Sequence, residues 1–559
     1  MNKINKSKLS VVLLCFVILF TLTAACNNDS DQNSTETSSD TTQNNSSTVG
    51  ESPSSISPSV VSPDRESPNE TASSPDAAGR DTISIAISSD PGTLDGSFLP
   101  PISFFGIVQC IQEPLWDITD DDEYIWLLAT SYEVISDTQW IVHLREGVTF
   151  SNGSPFTASD VIFSIKYLIS SDSMFASSKT KTIDIDKCAV IDDYTVDLRL
   201  HGFNVEHRLV MTDILMYDEE TFVDRETASA NPIGTGPYVV SEYIVNSYCL
   251  LERYDDYWGG TPPVKFLRFR ILAEPSQIIN ALEAGMIDVA QIATQDYEYV
   301  NSMPEFNVIT RYPANWAMIM FNHHEPSIFA NVEARYAICH AIDKNAIINL
   351  VYDGMARPMQ YASSIECFDH EDRFIGAHPT YGIGYNVELA KQYAERSGLT
   401  GREVILRTDG NAASVTMAEI FQNMFDAIGV TVVIHNYDAA GFEAAGRDPT
   451  AWDLAIGNNM CPTRNVIGPL VDGIRFSLLR QEGWDGADFI MENGLKCQTE
   501  PDDQARSALT KQLLEVYETG CLDYAICETQ QLTVFSTDIA GWRFKPTSGL
   551  RYQGLYFAT

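Results

Sequence analysis

Residues 27–80 limit what the rest of the chain can be. Nearly every position there is Asn, Ser, Thr, Asp, Glu, Pro or Gly. Such a stretch cannot bury enough apolar surface to offset the entropy of ordering it, so it reads as a disordered tether. Folding is thereby confined to residues 81–559. That body is longer than one compact core usually holds, which predicts two or three lobes. Core material is ample, since 44% of the 559-residue chain is hydrophobic and 10% is aromatic.

What precedes the tether is an address. Lys3, Lys6 and Lys8 lead into an apolar run from Leu9 to Leu22, interrupted by Ser10 and Thr21, and Thr23, Ala24 and Ala25 then lead to Cys26. This is the order of a secretory signal peptide. The run is shorter than the ~20 apolar residues of a spanning helix. Leu22-Thr23-Ala24-Ala25-Cys26 resembles a bacterial lipobox, with Leu22 four residues before the Cys where three is usual. The resemblance implies that residues 1–26 are a lipoprotein signal peptide and that Cys26 is lipidated. The body would then stand outside the cytoplasm, held to the cell membrane.

A formal net charge of -40 excludes a nucleic-acid partner, because phosphate contacts need clustered Lys and Arg, and no basic cluster follows the N-terminus. The 11 cysteines include no CxxC pair, so neither zinc nor thioredoxin chemistry is signalled. Most read as small buried hydrophobes. A local pairing of Cys521 with Cys527 stays open.

Thr82 to Ile87 alternates with period two and predicts a strand, as do Trp140, Val142 and Leu144. Thr157-Ala158-Ser159-Asp160 has the form of a capping box ahead of Val161, Ile165 and Leu168 at helical spacing. Asn386 to Gly398 predicts a helix closed by its glycine. Met417, Ile420, Phe421, Met424, Phe425 and Ile428 form one helix face, and after Gly429 the segment Val430 to Ile434 predicts a strand. Alternation of this kind defines an α/β protein.

Five stretches in order resemble the extracellular solute-binding protein family 5, which includes dipeptide-, oligopeptide- and nickel-binding proteins of ABC importers. They are Asp90-Pro91-Gly92-Thr93-Leu94-Asp95; Leu144-Arg145-Glu146-Gly147-Val148-Thr149-Phe150 continuing through Gly153 to Asp160-Val161; Gly234-Thr235-Gly236-Pro237-Tyr238 with Tyr257-Trp258-Gly259-Gly260; Ala281-Leu282-Glu283-Ala284-Gly285-Met286-Ile287-Asp288; and Asn322 with Ala334-Arg335-Tyr336-Ala337 and Ala341-Ile342-Asp343-Lys344. Turn and cap chemistry accounts for most of these residues, with Gly147 and Gly153 suited to positive φ and Gly234 and Gly236 to a tight turn. The resemblance implies a periplasmic-binding-protein-like fold of three lobes with a hinged ligand cleft. Lobe I would comprise 81–113, 222–312 and 530–559, lobe II 114–221 and lobe III 313–529. The implied partners are a small-molecule or oligomeric ligand and an ABC permease with its ATPase subunits, the chain itself acting as a monomer.

The same resemblance places three segments at the cleft: Phe98 to Ser103, which contains Pro100, Pro101 and Ile102; Ala314-Asn315-Trp316-Ala317; and Asn458-Asn459-Met460-Cys461-Pro462 with Arg464 beyond. Trp316 suits a ligand with an apolar face, and core packing is its alternative role. Peptide-binding relatives put an Asp shortly after the third segment to meet the α-ammonium. No Asp or Glu occurs here from Asn458 to Leu470. A buried ammonium without a carboxylate is costly, so a neutral hydroxyl-rich ligand such as an oligosaccharide, or a carboxylate on Arg464, is expected over a free peptide amine. A peptide stays open if an acid comes from elsewhere in the fold.

Other signals are weaker. His323-His324-Glu325 lacks a second cluster at ligand spacing, and no metal or cofactor is expected. Asp117, Asp120, Asp121, Asp122 and Glu123 miss the central Gly of a calcium loop and read as a solvated acidic turn. G-x-S-x-G, P-loop and H-E-x-x-H motifs are absent, so catalysis is not signalled and transport would need a separate ATPase. A sensory binding protein on the same lobes is the alternative, with a hydrolase behind it.

Overall fold

A computed structural model describes residues 80–97, 105–119, 123–170, 180–360, 383–460, 467–468, 470, 485–545 and 549–558. In chain order the main elements begin with β1 (Thr82–Ile87), β2 (Ala129–Ser136), β3 (Gln139–Leu144), α1 (Ala158–Ser170), β4 (Ala189–Asp192) and β5 (Thr195–Arg199). They continue through β6 (Tyr238–Ile244), β7 (Tyr248–Arg253), β8 (Phe266–Ile271), α2 (Pro275–Glu283), β9 (Val289–Ile292) and β10 (Phe306–Arg311). Then come β11 (Asn315–Phe321), α3 (Val332–Ala341), α4 (Lys344–Val351), β12 (Ala356–Pro358), α5 (Val387–Ser397), β13 (Glu403–Thr408), α6 (Ala412–Asp426) and β14 (Thr431–Asn436). The series ends with β15 (Leu454–Met460), α7 (Asp485–Thr499), α8 (Asp503–Gly520), β16 (Asp523–Thr529) and β17 (Gln531–Ser536).

These strands form three sheets. A seven-stranded sheet has the order β10-β17-β9-β1-β8-β7-β6, a four-stranded sheet the order β2-β3-β5-β4, and a six-stranded sheet the order β12-β16-β11-β15-β13-β14. In the first, β1 runs parallel to both β8 and β9, and Ile83, Ile85, Leu251, Leu267 and Phe269 bury one face. The third is covered on both faces, which explains the unbroken apolar run of β11. Its Ala317, Ile319 and Phe321 pack with α3, α5 and α6, whereas Trp316, Met318 and Met320 pack with α7 and α8.

Local chemistry sets the element ends. The Thr157 amide donates to Asp160 Oδ2 at 2.7 Å, and Asp160 Oδ1 accepts from the Glu219 amide at 2.9 Å, so the expected capping box also ties α1 to a distant loop. Asn386 caps α5, whose last turn closes on Gly398 in the left-handed region at φ 74. At Gly234 and Gly236 the expected tight turn is not the governing constraint. A Cβ at Gly234 would lie 2.0 Å from the carbonyl oxygen of Ile111, and one at Gly236 would lie 2.6 Å from that of Cys110. Glycine is needed there because two backbones touch.

Candidate functional site

The chain passes between the seven- and six-stranded sheets twice. It goes out from β10 to β11 through Tyr312, Pro313 and Ala314, and returns from β16 to β17 through Gln530. The two passages run side by side, since Arg311 pairs with Gln531 in one sheet and Trp316 pairs with Glu528 in the other. A double crossing of few residues is the arrangement that lets two bodies swing about one line. Ala314 lies in it at φ 53, a left-handed conformation that costs an alanine about 1 kcal/mol.

At this crossing the register of the six-stranded sheet lines up four side chains. Arg357 on β12 pairs with Glu528 on β16, Glu528 with Trp316 on β11, and Trp316 with Asn459 on β15. Directly opposed residues of antiparallel strands share a face, so these four form one row. Glu528 is fully buried, and Arg357 sets Nε and Nη2 each 2.7 Å from its Oε2. The same guanidinium lies 4.1 Å from the ring centre of Tyr312 in the outgoing linker. Charge at the crossing is thus neutralised and braced against the linker.

Trp316 is fully buried among Met318, Met320, Trp452 and Ile490, so its ring packs in the core and presents no open stacking face. Among the described residues its Nε1 has no hydrogen-bond partner, nor has Oδ1 of half-buried Asn315. Asn458 and Asn459 do not act together: Asn459 shares the face of Trp316, while Asn458 opposes Ala317 on the other face. Met460 pairs through its backbone with Asn315. Pro100, Pro101, Ile102, Arg464 and Cys26 lie outside the described residues. Arg357 and Glu528 were not singled out from sequence, since they belong to no motif and meet only through strand register.

The family-like motifs converge on a separate buried node. Glu113 accepts from the Tyr257 hydroxyl at 2.6 Å, from Trp258 Nε1 at 2.8 Å and from Thr235 Oγ1 at 3.1 Å. Arg145 covers the Trp258 ring at 4.5 Å. Burial nevertheless pushes the Glu113 carboxyl up to about 7, against the opposing effect of these hydrogen bonds and Arg145. Asp95 gathers the Tyr167 and Tyr217 hydroxyls in the same structural manner. Asp117 departs from the expected solvated acidic turn, whereas Glu123 is exposed and Asp120, Asp121 and Asp122 lie outside the described residues. Asp117 is buried and receives Nε and Nη2 of Arg551, each at 2.8 Å, and burial is outweighed by Arg551 so that its carboxyl is held well below the usual range. That bidentate ion pair is what permits a carboxylate in the interior. His323 is buried with Nε2 2.8 Å from the carbonyl oxygen of Leu522, a structural role. Among the described residues no group of three His, Cys, Asp or Glu is placed to hold a metal ion.

Three sheets, two of them joined by the double crossing, define the class: an α/β protein of the periplasmic-binding type, three-lobed with a hinged ligand cleft. Within that class the chain belongs to the bacterial extracellular solute-binding proteins, family 5, whose middle region matches residues 123–472. It is 26% identical over 382 residues to a Brucella ovis protein named as an ABC transporter peptide-binding protein, spanning 65% of this chain and 70% of that one. It is 24% identical over 398 residues to the nickel-binding periplasmic protein of Escherichia coli, spanning 66% and 74%. The crystal structure of the ABC transporter substrate-binding protein CtaP from Listeria monocytogenes superposes with a TM-score of 0.76 at 21% identity, covering 86% of this chain and 100% of that one. The chain is accordingly a solute-binding protein of an extracytoplasmic family and not an enzyme.

Proposed function

We propose that this protein is the receptor of an ABC importer, lipid-anchored through Cys26, and that it encloses a neutral or anionic small ligand at the double crossing. Residues 81–113, 222–312 and 530–559 then form lobe I, 114–221 lobe II and 313–529 lobe III. The names of the Brucella and Escherichia relatives support a transport role. The observation that carries the ligand class is the Arg357–Glu528 pair. The row at the crossing contains one carboxylate, and an arginine already occupies it, so an incoming ammonium would have to displace a buried ion pair. The unpaired Trp316 Nε1 and Asn315 Oδ1 offer one donor and one acceptor, which suits hydroxyls or amides.

A second reading has one specific support. Asp296 lies four residues past the end of β9, on the side of the seven-stranded sheet where the chain crosses, and burial alone pushes its carboxyl up. A peptide amine would find its partner there. A thermal-shift screen separates the two readings. Oligosaccharides, carboxylates and amino-blocked peptides should stabilise the protein as well as or better than free peptides. Strong stabilisation by free di- to pentapeptides, lost on blocking their amines and lost in Asp296→Asn, would replace the first reading by the second.

A further inference from the structure

Helix α3 grips the end of α8 through three neighbouring residues. Arg335 Nε donates to the carbonyl oxygen of Gly520 at 2.9 Å, the Tyr336 hydroxyl donates to that of Thr519 at 2.5 Å, and Cys339 Sγ lies 3.7 Å from Cys521 Sγ. Positions 335, 336 and 339 share one side of the helix, so all three address the stretch 519–521. Cys521 is not helical. It turns the chain out of α8 at φ 42 and ψ 59, a left-handed conformation in which glycine is the usual residue. Both cysteines are buried, at 0% and 1% exposure, although 182 residues separate them.

We propose that Cys339 and Cys521 become joined by a disulfide when the chain matures outside the cytoplasm. The inference rests on the extracytoplasmic reading, because such bonds persist in oxidising compartments. A disulfide needs the sulfurs at about 2.05 Å, so they must close by about 1.7 Å, the scale of a side-chain rotation. One thiolate attacks a disulfide-bearing oxidant, protein or small molecule, and the second displaces the mixed disulfide. Two thiols and one disulfide become the protein disulfide and two released thiols, which take up the two protons and the two electrons. Burial holds the Cys339 thiol well above its usual range, so the exchange belongs to folding, before this core closes.

Among the described residues other partners fit less well. Cys527 lies on β16, and the strand from Asp523 to Cys527 alone spans about 13 Å, which rules out the local Cys521–Cys527 link while that strand is formed. Cys110 and Cys249 pack in the core of the seven-stranded sheet, and Cys497 lies on the opposite face of the six-stranded sheet. The proposed bond ties two helices of one body and does not span the crossing, so it stiffens that body and leaves closure free.

The test uses the full chain, exported and collected without reductant, then denatured with an alkylating reagent present. Trypsin with an Asp-directed protease yields fragments 336–342 and 512–522, each with one cysteine. Mass spectrometry should find the two fragments linked, and separated by reduction. Reductant should lower the melting temperature of the wild type by about 5 °C and leave Cys339→Ala unmoved. Alkylation of both cysteines in an exported chain, or a link from either to another cysteine, overturns the disulfide alone. A chain that remains in the cytoplasm overturns the compartment and the disulfide together.

Discussion

Arg357 brings two nitrogens within 2.7 Å of a single oxygen of Glu528, a carboxylate with no exposed surface, beside the double crossing. Removing one member of such a pair strands the other charge in a poorly solvated place. Arg357→Gln should therefore lower unfolding stability in urea by about 3 kcal/mol. Arg357→Gln combined with Glu528→Gln should recover most of that loss, since two neutral amides can bond to each other. Equal destabilisation by the single and the double variant would show that packing on Tyr312, and not charge, is the contribution.

Two buried carboxyls make stability depend on pH near neutrality. Burial pushes Glu113 up to about 7 from an ordinary 4.5, and Asp523 up to about 7 from 3.8. A carboxyl whose pKa rises on folding favours the fold while it keeps its proton. Its contribution is complete below the unfolded value and is lost as pH rises through about 7. The melting temperature should accordingly fall between pH 5 and pH 8.5. Glu113→Gln should flatten that slope, because the amide oxygen can still accept from Trp258 and Thr235 while the Tyr257 hydroxyl turns to accept from the amide nitrogen. Asp523→Asn should flatten it further, as Tyr517 is the hydrogen-bond donor to Asp523 Oδ2 and Oδ1 has no partner among the described residues. Stability that rises over this range would contradict the assignment.

Sequence carried the repeated parts of the fold and missed the contacts between distant segments. Period-two alternation at Thr82–Ile87 and the glycine stop at Gly398 are local, and both elements form as expected. Thr235, Tyr257 and Trp258 were legible as motif residues, but Glu113, on which they meet, stands in no pattern of its own. Arg357 and Glu528 are 171 residues apart and are matched only by strand order and register, which no local spacing encodes. Asp117 read as solvated because the acids after it masked a partner 434 residues away, Arg551. The separation of Asn458 from Asn459 was readable in principle, since adjacent strand residues face opposite ways.

The N-terminal sequence makes a prediction about chemistry at Cys26. A basic, apolar and small-residue series ends at this cysteine, and a polar tether follows it. Several acyl chains on one residue hold a protein firmly to a membrane, whereas a single chain holds weakly. Cells fed a labelled fatty acid should mark the wild-type protein and not Cys26→Ser, and the variant should appear in the medium. Equal labelling of both would place the lipid elsewhere or remove it altogether.

Trp316 supplies the sharpest test of the cleft, because packing and recognition can be separated in it. The indole is fully buried, so Trp316→Ala should cost about 3–5 kcal/mol of stability whatever the ligand does. Trp316→Phe keeps an aromatic ring in the cluster that holds Met318, Met320 and Trp452 and removes the N–H, at a stability cost nearer 1–2 kcal/mol. If the unpaired Nε1 donates to the ligand, losing that bond should weaken binding by about 1 kcal/mol, roughly fivefold in Kd. Asn315→Ala should weaken it by a similar amount through the lost Oδ1 acceptor. Calorimetric titration of ligand recovered with the wild-type protein reads these effects at a temperature where all variants are folded. Closure about the crossing should follow binding, seen as a smaller radius of gyration by small-angle scattering. Unchanged affinity in Trp316→Phe and in Asn315→Ala, with closure intact, would move the ligand away from this row and leave Trp316 a core residue only.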